Sequence, residues 1–179
     1  MGTAKTATSF GVGILGVYVG LFAPDIDLFL LPILHHRSII THSIIIPLLL
    51  KRWLSTPTFA GFAAGISIHL WADSLSTSMG FAQVYLPVVK TSLGSSLSLV
   101  WILLNAFIGF LIAVSAYRKF AWWIILAYLF VALLYARFNE SAIFIVYVFI
   151  VCSVFLFIFK LKNIKYNNKI KNMNITEKS

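Results

Sequence analysis

Residues 95–117 read SSLSLVWILLNAFIGFLIAVSAY, an apolar run without a single charged side chain. A helix that crosses the ~30 Å hydrocarbon core of a bilayer needs roughly 20 such residues, and this stretch supplies them. Two more uncharged runs follow, Ala121–Tyr135 and Ser141–Phe159. The first of these is short, but Phe120, Trp122, Trp123 and Tyr135 give it the aromatic ends that suit a membrane interface. The whole chain agrees: 60% of its residues are hydrophobic, 11% are charged and the mean hydropathy is +0.95. A soluble domain carries roughly 25% charged residues, so lipid is the expected solvent.

Toward the N-terminus the apolar runs become shorter and are broken by polar residues: Phe10–Ala23, Leu28–Leu34, Ile39–Leu50 and Phe59–Leu75. As a helix, Phe10–Ala23 reaches only about 21 Å, short of the hydrocarbon thickness. Its end at Pro24 is therefore expected below the membrane surface, in a pocket built by other helices. A signal peptide would be cut after Ala23, with proline in the unfavourable next position, so an uncleaved first helix is expected. These patterns predict an all-α fold, a multi-pass transmembrane helical bundle of about six segments near 9–23, 39–50, 59–75, 95–117, 121–135 and 141–159. Residues 1–92 form a motif-bearing membrane module, 93–159 three hydrophobic transmembrane helices, and 160–179 a basic, disordered tail.

The formal charge of +9 is not a nucleic-acid signature, because six of the 14 basic residues are lysines of that Asn-rich tail. They instead orient the chain. With six crossings, one face receives Lys5, Lys51, Arg52, Arg118, Lys119 and the tail lysines, while the other receives Arg37, Lys90 and Arg137. The excess of basic residues on cytoplasmic loops then places both termini in the cytoplasm of a cell, or inner, membrane. Membrane lipids are the expected surroundings and nucleic acid is not a partner. Cys152 is the single cysteine, so no disulfide framework exists.

All three aspartates and all four histidines fall between Asp25 and Asp73. They form three groups: Pro24-Asp25-Ile26-Asp27, then His35-His36-Arg37 with Thr41-His42-Ser43, then His69 to Asp73. An ionisable side chain at the centre of a membrane helix costs at least about 2.5–3.5 kcal/mol, so such a concentration calls for a function. The topology brings the end of the first segment, the start of the second and the end of the third to one face, expected to be extracytoplasmic. His69 and Asp73, four apart, share a helix face, and Asp25 and Asp27 can turn two carboxylates toward one point. Asp25, Asp27, His36, His42, His69 and Asp73 are the candidate metal ligands. Their mixture of imidazole and carboxylate suits a divalent transition metal, zinc first, with manganese or iron as alternatives. Such an ion lowers the pKa of bound water to about 7. His36, as general base or ligand, and Arg37, whose planar fork can grip a phosphate or carboxylate, are the candidate catalytic residues.

In these three blocks the chain resembles a bacterial and archaeal family described as membrane-bound, metal-dependent hydrolases. The resemblance rests on Pro24-Asp25-Ile26-Asp27, on His36-Arg37 followed by Thr41-His42-Ser43, and on His69 through Asp73 with Gly80 and Pro87 downstream. It implies a multi-pass inner-membrane protein in which the six residues above bind metal. By looser similarity, the His69-to-Asp73 pair looks like that of zinc-dependent phospholipases C, which implies a lipid or phosphoester substrate. The chain departs from the pattern in having Thr6, Thr8 and Ser9 where a histidine often stands near the start of the first helix. Two other readings remain open: a non-catalytic membrane protein with a structural metal site, and an ion or proton transporter. Transport needs polar residues deep in several spans, and the second half offers little beyond Ser98, Asn105, Ser115 and Ser153.

Overall fold

The computed structural model describes residues 2–75, 83–116 and 121–139, together with positions 154 and 159. Apart from those two positions, the expected segment 141–159 lies outside the described residues, as do Gly80 and the tail 160–179. The described chain is mostly helical. Helix α1 spans Gly2–Phe22 and runs into a 3-10 helix, Pro24–Leu30, and a single turn, α2, Leu31–Leu34. A loop leads to α3, Ile45–Leu50, and then to α4, Thr56–Leu75. Two short strands, β1 (Tyr85–Leu86) and β2 (Thr91–Ser92), precede α5, Gly94–Ala116, and α6, Ala121–Asn139. The strands pair antiparallel, Tyr85 with Ser92 and Leu86 with Thr91.

Helix α4 is the axis of the fold. Every residue from Phe59 to Ala72 is buried, because α1 packs along one side of α4 and α5 along another. Four glycines set the first contact. A Cβ on Gly16 or Gly20 would run into the backbone of α4 at Thr58 or Phe62, and one on Gly61 or Gly65 would strike the backbone of α1 at Gly13 or Val17. Both helices thus carry Gly-x-x-x-Gly, and only hydrogen at these positions allows the two backbones to touch. On the other side Ser67 of α4 donates to the Ala106 carbonyl of α5 and meets Tyr128 of α6 at 2.9 Å.

The core around α4 is apolar, with Ile66, Ile102 and Phe110 fully buried, yet polar side chains also lie inside and large apolar ones outside. Asp27, Ser38, His42, Ser43, Ser67, Ser98 and Asn105 are buried, whereas Phe10, Tyr18, Phe29, Trp53, Trp123 and Phe138 are exposed. Helix α5 is long and apolar enough to cross a membrane. Thr8–Phe22 and Pro24–Leu34 pass the same test as a pair bent by 50°, and Trp123–Tyr135 is a shorter apolar helix.

Two expected segments differ from the sequence reading. Residues 39–50 are not one helix: 39–44 form turns, and α3 is six residues, only about 9 Å of helix. Hydroxyl groups explain the break. Ser43 Oγ donates to the Ile40 carbonyl at 2.8 Å, and Ser38 Oγ accepts from Ile40 N at 3.3 Å, so side chains satisfy backbone that a helix would otherwise pair. Residues 59–75 are helical as expected, but from Phe59 to Ala72 they face protein on all sides, which explains why the segment tolerates Ser67 and His69.

Candidate metal centre

Three segments meet at the end of α4. Helix α1 stops because Pro24 has no N–H to offer the preceding turn. The released carbonyl of Leu21 accepts a hydrogen bond from His69 Nδ1 at 2.8 Å, and Tyr135 Oη of α6 lies 3.4 Å from the same nitrogen. Facing a carbonyl, Nδ1 is the donor of this bond, and Nε2 is the ring atom turned toward the site.

His42 is set by the same logic from the loop between α2 and α3. Its Nδ1 faces Asp27 Oδ2 at 3.2 Å, and its backbone carbonyl accepts from Trp101 Nε1 of α5 at 3.1 Å. The next turn is held where Asn105 Oδ1 accepts from Ile44 N at 3.0 Å. The loop is also clamped from the hairpin: Tyr85 N donates to the Arg37 carbonyl and Ile39 N to the Tyr85 carbonyl, both at 2.9 Å. Between these bonds Arg37 adopts φ 59°, a conformation unusual for a residue with a side chain and kept here by its surroundings.

The result is a group of donor atoms facing one another. Ligand atoms of Asp25, His42 and His69 lie within 4.8 Å of each other, a group that can hold a metal ion. His69 Nε2 is 3.7 Å from Asp25 Oδ1 and 3.5 Å from Asp73 Oδ2, and His42 Nε2 is 3.1 Å from Asp73 Oδ2. Ligands on a zinc ion with 2.0–2.1 Å bonds sit about 3.3 Å apart, so the observed separations match donors arranged around a cation. Moreover His42 Nε2, His69 Nε2 and Asp73 Oδ2 are buried and face one another at 3.1 and 3.5 Å. Two imidazoles closing on one carboxylate can share either a proton or a cation.

The remaining sequence candidates surround this group rather than joining it. Asp27 is fully buried; its carboxylate accepts from Ser38 N at 3.1 Å, Thr41 Oγ1 at 2.7 Å and His36 Nδ1 at 3.2 Å, besides facing His42. Its two oxygens are thus engaged by Ser38, Thr41, His36 and His42. His36 bonds Asp27 and does not belong to the converging set. Arg37 Nη2 donates to Asp73 Oδ1 at 3.2 Å, which fixes that carboxylate so that Oδ2 turns to the two imidazoles. His35 stacks on Tyr85 at 4.4 Å, away from the group.

His42 sits in the loop, outside the helices that can span a membrane. Burial disfavours charge on its ring, but the flanking carboxylates of Asp27 and Asp73 outweigh burial and raise its pKa to about 9. Without a cation the site thus keeps a proton where a metal ligand must be bare.

Sequence reasoning missed several residues that build the centre. The Gly16-to-Gly20 and Gly61-to-Gly65 spacings were readable as a helix-contact motif. Trp101, Asn105 and Tyr135 sit in runs that read as lipid-facing, and no local signal distinguishes their inward role. Ser98 belongs with them, accepting from Val84 N at 2.7 Å. No family model, curated protein or solved structure matches this chain.

Proposed function

We propose that the chain is a multi-pass inner-membrane protein that binds a divalent transition metal, zinc in the first instance, and acts as a metal-dependent hydrolase. The observation that carries this reading is the convergence of His42 Nε2, His69 Nε2 and Asp73 Oδ2, all buried and turned to one another, beside Asp25. Asp25, His42, His69 and Asp73 would hold the ion; Asp27 would orient His42, and Arg37 would orient Asp73. A bound divalent ion supplies Lewis acidity, which polarises a scissile group and acidifies water. The chain's own residues position the reaction. His36, half-exposed and tied to Asp27, is placed to exchange protons with solvent, and burial of His42 and His69 keeps water from the back of the site.

Exposure separates catalysis from a purely structural ion. Closed structural sites bury all their ligands, whereas catalytic ones leave a position open. Here the Asp25 side chain keeps 39% of its surface exposed, against 5% for His69 and none for His42. The open position therefore lies on the Asp25 side. Transport is less well supported, since Ser98 and Asn105 are spent on anchoring loops. The expected orientation, both termini cytoplasmic and the site extracytoplasmic, rests on the basic residues and on the parallel packing of α1 and α4. That packing has residues 24–55 return the chain to its first face without a helix of membrane length at 39–50.

The test is elemental analysis of gently solubilised protein together with hydrolysis of a nitrophenyl phosphodiester. Near-stoichiometric zinc, manganese or iron and chelator-sensitive turnover would support the reading. Metal without turnover would leave a structural site, and metal-free protein would refute both.

A further inference from the structure

The end of α4 away from the metal centre carries a separate feature. The chain returns from the centre through α3 and a tight turn, Lys51 to Leu54, before Thr56 opens α4. Trp53 N and Leu54 N both donate to the Leu50 carbonyl, at 2.9 and 3.2 Å, which folds the turn back on α3. A cavity of about 390 Å³ opens there, lined by Leu48, Leu49, Lys51 and Arg52. That volume suits a small ligand or a headgroup. Its two cations are each laid on an aromatic face. Lys51 Nζ lies 5.7 Å from the centre of the Phe59 ring, and the Arg52 guanidinium 5.0 Å from that of Trp53. The rings hold both charges in place without neutralising them. No carboxylate does so either. Asp25, Asp27 and Asp73 cluster at the opposite end of α4, about 25 Å away along the helix. Neither cation has an ion-pair partner among the described residues.

We propose that this cavity binds the headgroup of an anionic phospholipid of the cytoplasmic leaflet, with Lys51 and Arg52 on its phosphate and Leu48 and Leu49 against the start of its acyl chains. Two uncompensated cations on one cavity call for an anion. The remaining lining residues are leucines, which a free phosphate would not use. Trp53, beside Arg52, is 68% exposed, the place of a tryptophan at headgroup level. The count of basic residues puts this end of α4 on the cytoplasmic side, where the membrane surface is anionic. Exposed apolar residues are general on this chain and mark nothing by themselves; the paired cations in a cavity distinguish this turn. The site needs neither the metal nor a reaction, and it stands apart from the proposed hydrolase function.

The experiment is native mass spectrometry of the full-length protein released from neutral detergent, titrated with phosphatidylglycerol or phosphatidylcholine of identical acyl chains. One phosphatidylglycerol should be retained about tenfold more tightly than phosphatidylcholine. Lys51→Gln combined with Arg52→Gln should bring the two lipids within about twofold of each other. Lys169→Gln combined with Lys171→Gln removes the same charge from the basic tail and should leave the preference intact. If the turn pair does not fold, Arg52→Gln alone should reduce the preference about threefold. A preference that survives the turn variants, an equal loss in the tail pair, or no preference in the wild type overturns the proposal. Excess inorganic phosphate should leave the lipid bound; its displacement would assign the cavity to free phosphate and overturn the lipid.

Discussion

His69 on α4 donates through Nδ1 to the backbone carbonyl of Leu21 at the end of α1, 2.8 Å away. This bond couples the packing of two helices to the chemistry of one imidazole. It exists because α1 ends at Pro24 and because glycines let the helices meet backbone to backbone. Disturbing that packing should therefore disturb the metal site from a distance.

Gly65→Val tests the coupling directly. A Cβ there meets the backbone of α1 at Val17 and Gly20, which cannot yield as a side chain can. The variant should lose about 3 kcal/mol of stability, by the usual cost of overpacking, and bind metal more weakly. Thermal unfolding in detergent, with and without added zinc, measures both effects. Wild-type stability in the variant would show that the helices do not pack this closely.

Removing a donor atom should empty the centre. His42→Ala and Asp73→Ala each delete an atom of the converging set and should lower metal affinity by more than about 100-fold. Asp27→Asn keeps the shape but weakens the grip on His42 Nδ1, and should cost about 10–100-fold, as outer-shell changes typically do. Competition with a fluorescent zinc chelator ranks the variants. An Asp27→Asn loss as deep as that of His42→Ala would make Asp27 a ligand after all.

The His42 loop hangs on α5. Asn105→Leu strands the Ile44 N–H in a buried setting and should cost about 1–3 kcal/mol. Because the same turn carries His42, metal affinity should fall as well, although Asn105 touches no donor atom of the centre. Calorimetric stability and zinc titration of the one variant check the two consequences.

Proton and metal compete for His42. Its pKa is raised from 6.5 to about 9, so in the metal-free protein its charged form contributes stability fully present below pH 6.5. That contribution fades as pH rises through about 9. Metal requires the neutral ring, so loading should reverse the trend and release about one proton per ion at neutral pH. Binding enthalpies measured in buffers of different ionisation heat count that proton. Buffer-independent enthalpy would mean His42 is already neutral in the free protein.

Hydropathy, the placement of basic residues and the clustering of every aspartate and histidine before residue 74 are properties of the chain alone. They made the helical class, the apolar exterior and a possible metal set readable, because burial preference and charge cost act residue by residue. The break in residues 39–50 was partly legible in Ser38, Thr41 and Ser43, whose hydroxyls compete for backbone. What remained hidden was the sorting of six similar candidates into different places. Which nitrogen of His42 faces Asp27, and which oxygen of Asp73 is taken by Arg37, follows from hydrogen bonds between residues far apart in sequence. Spacing along one helix cannot encode the Leu21 carbonyl that turns His69, nor the Trp101 indole that fixes the His42 loop. The tertiary structure decided those orientations, because a donor atom becomes a ligand only when something else holds the other side of its ring.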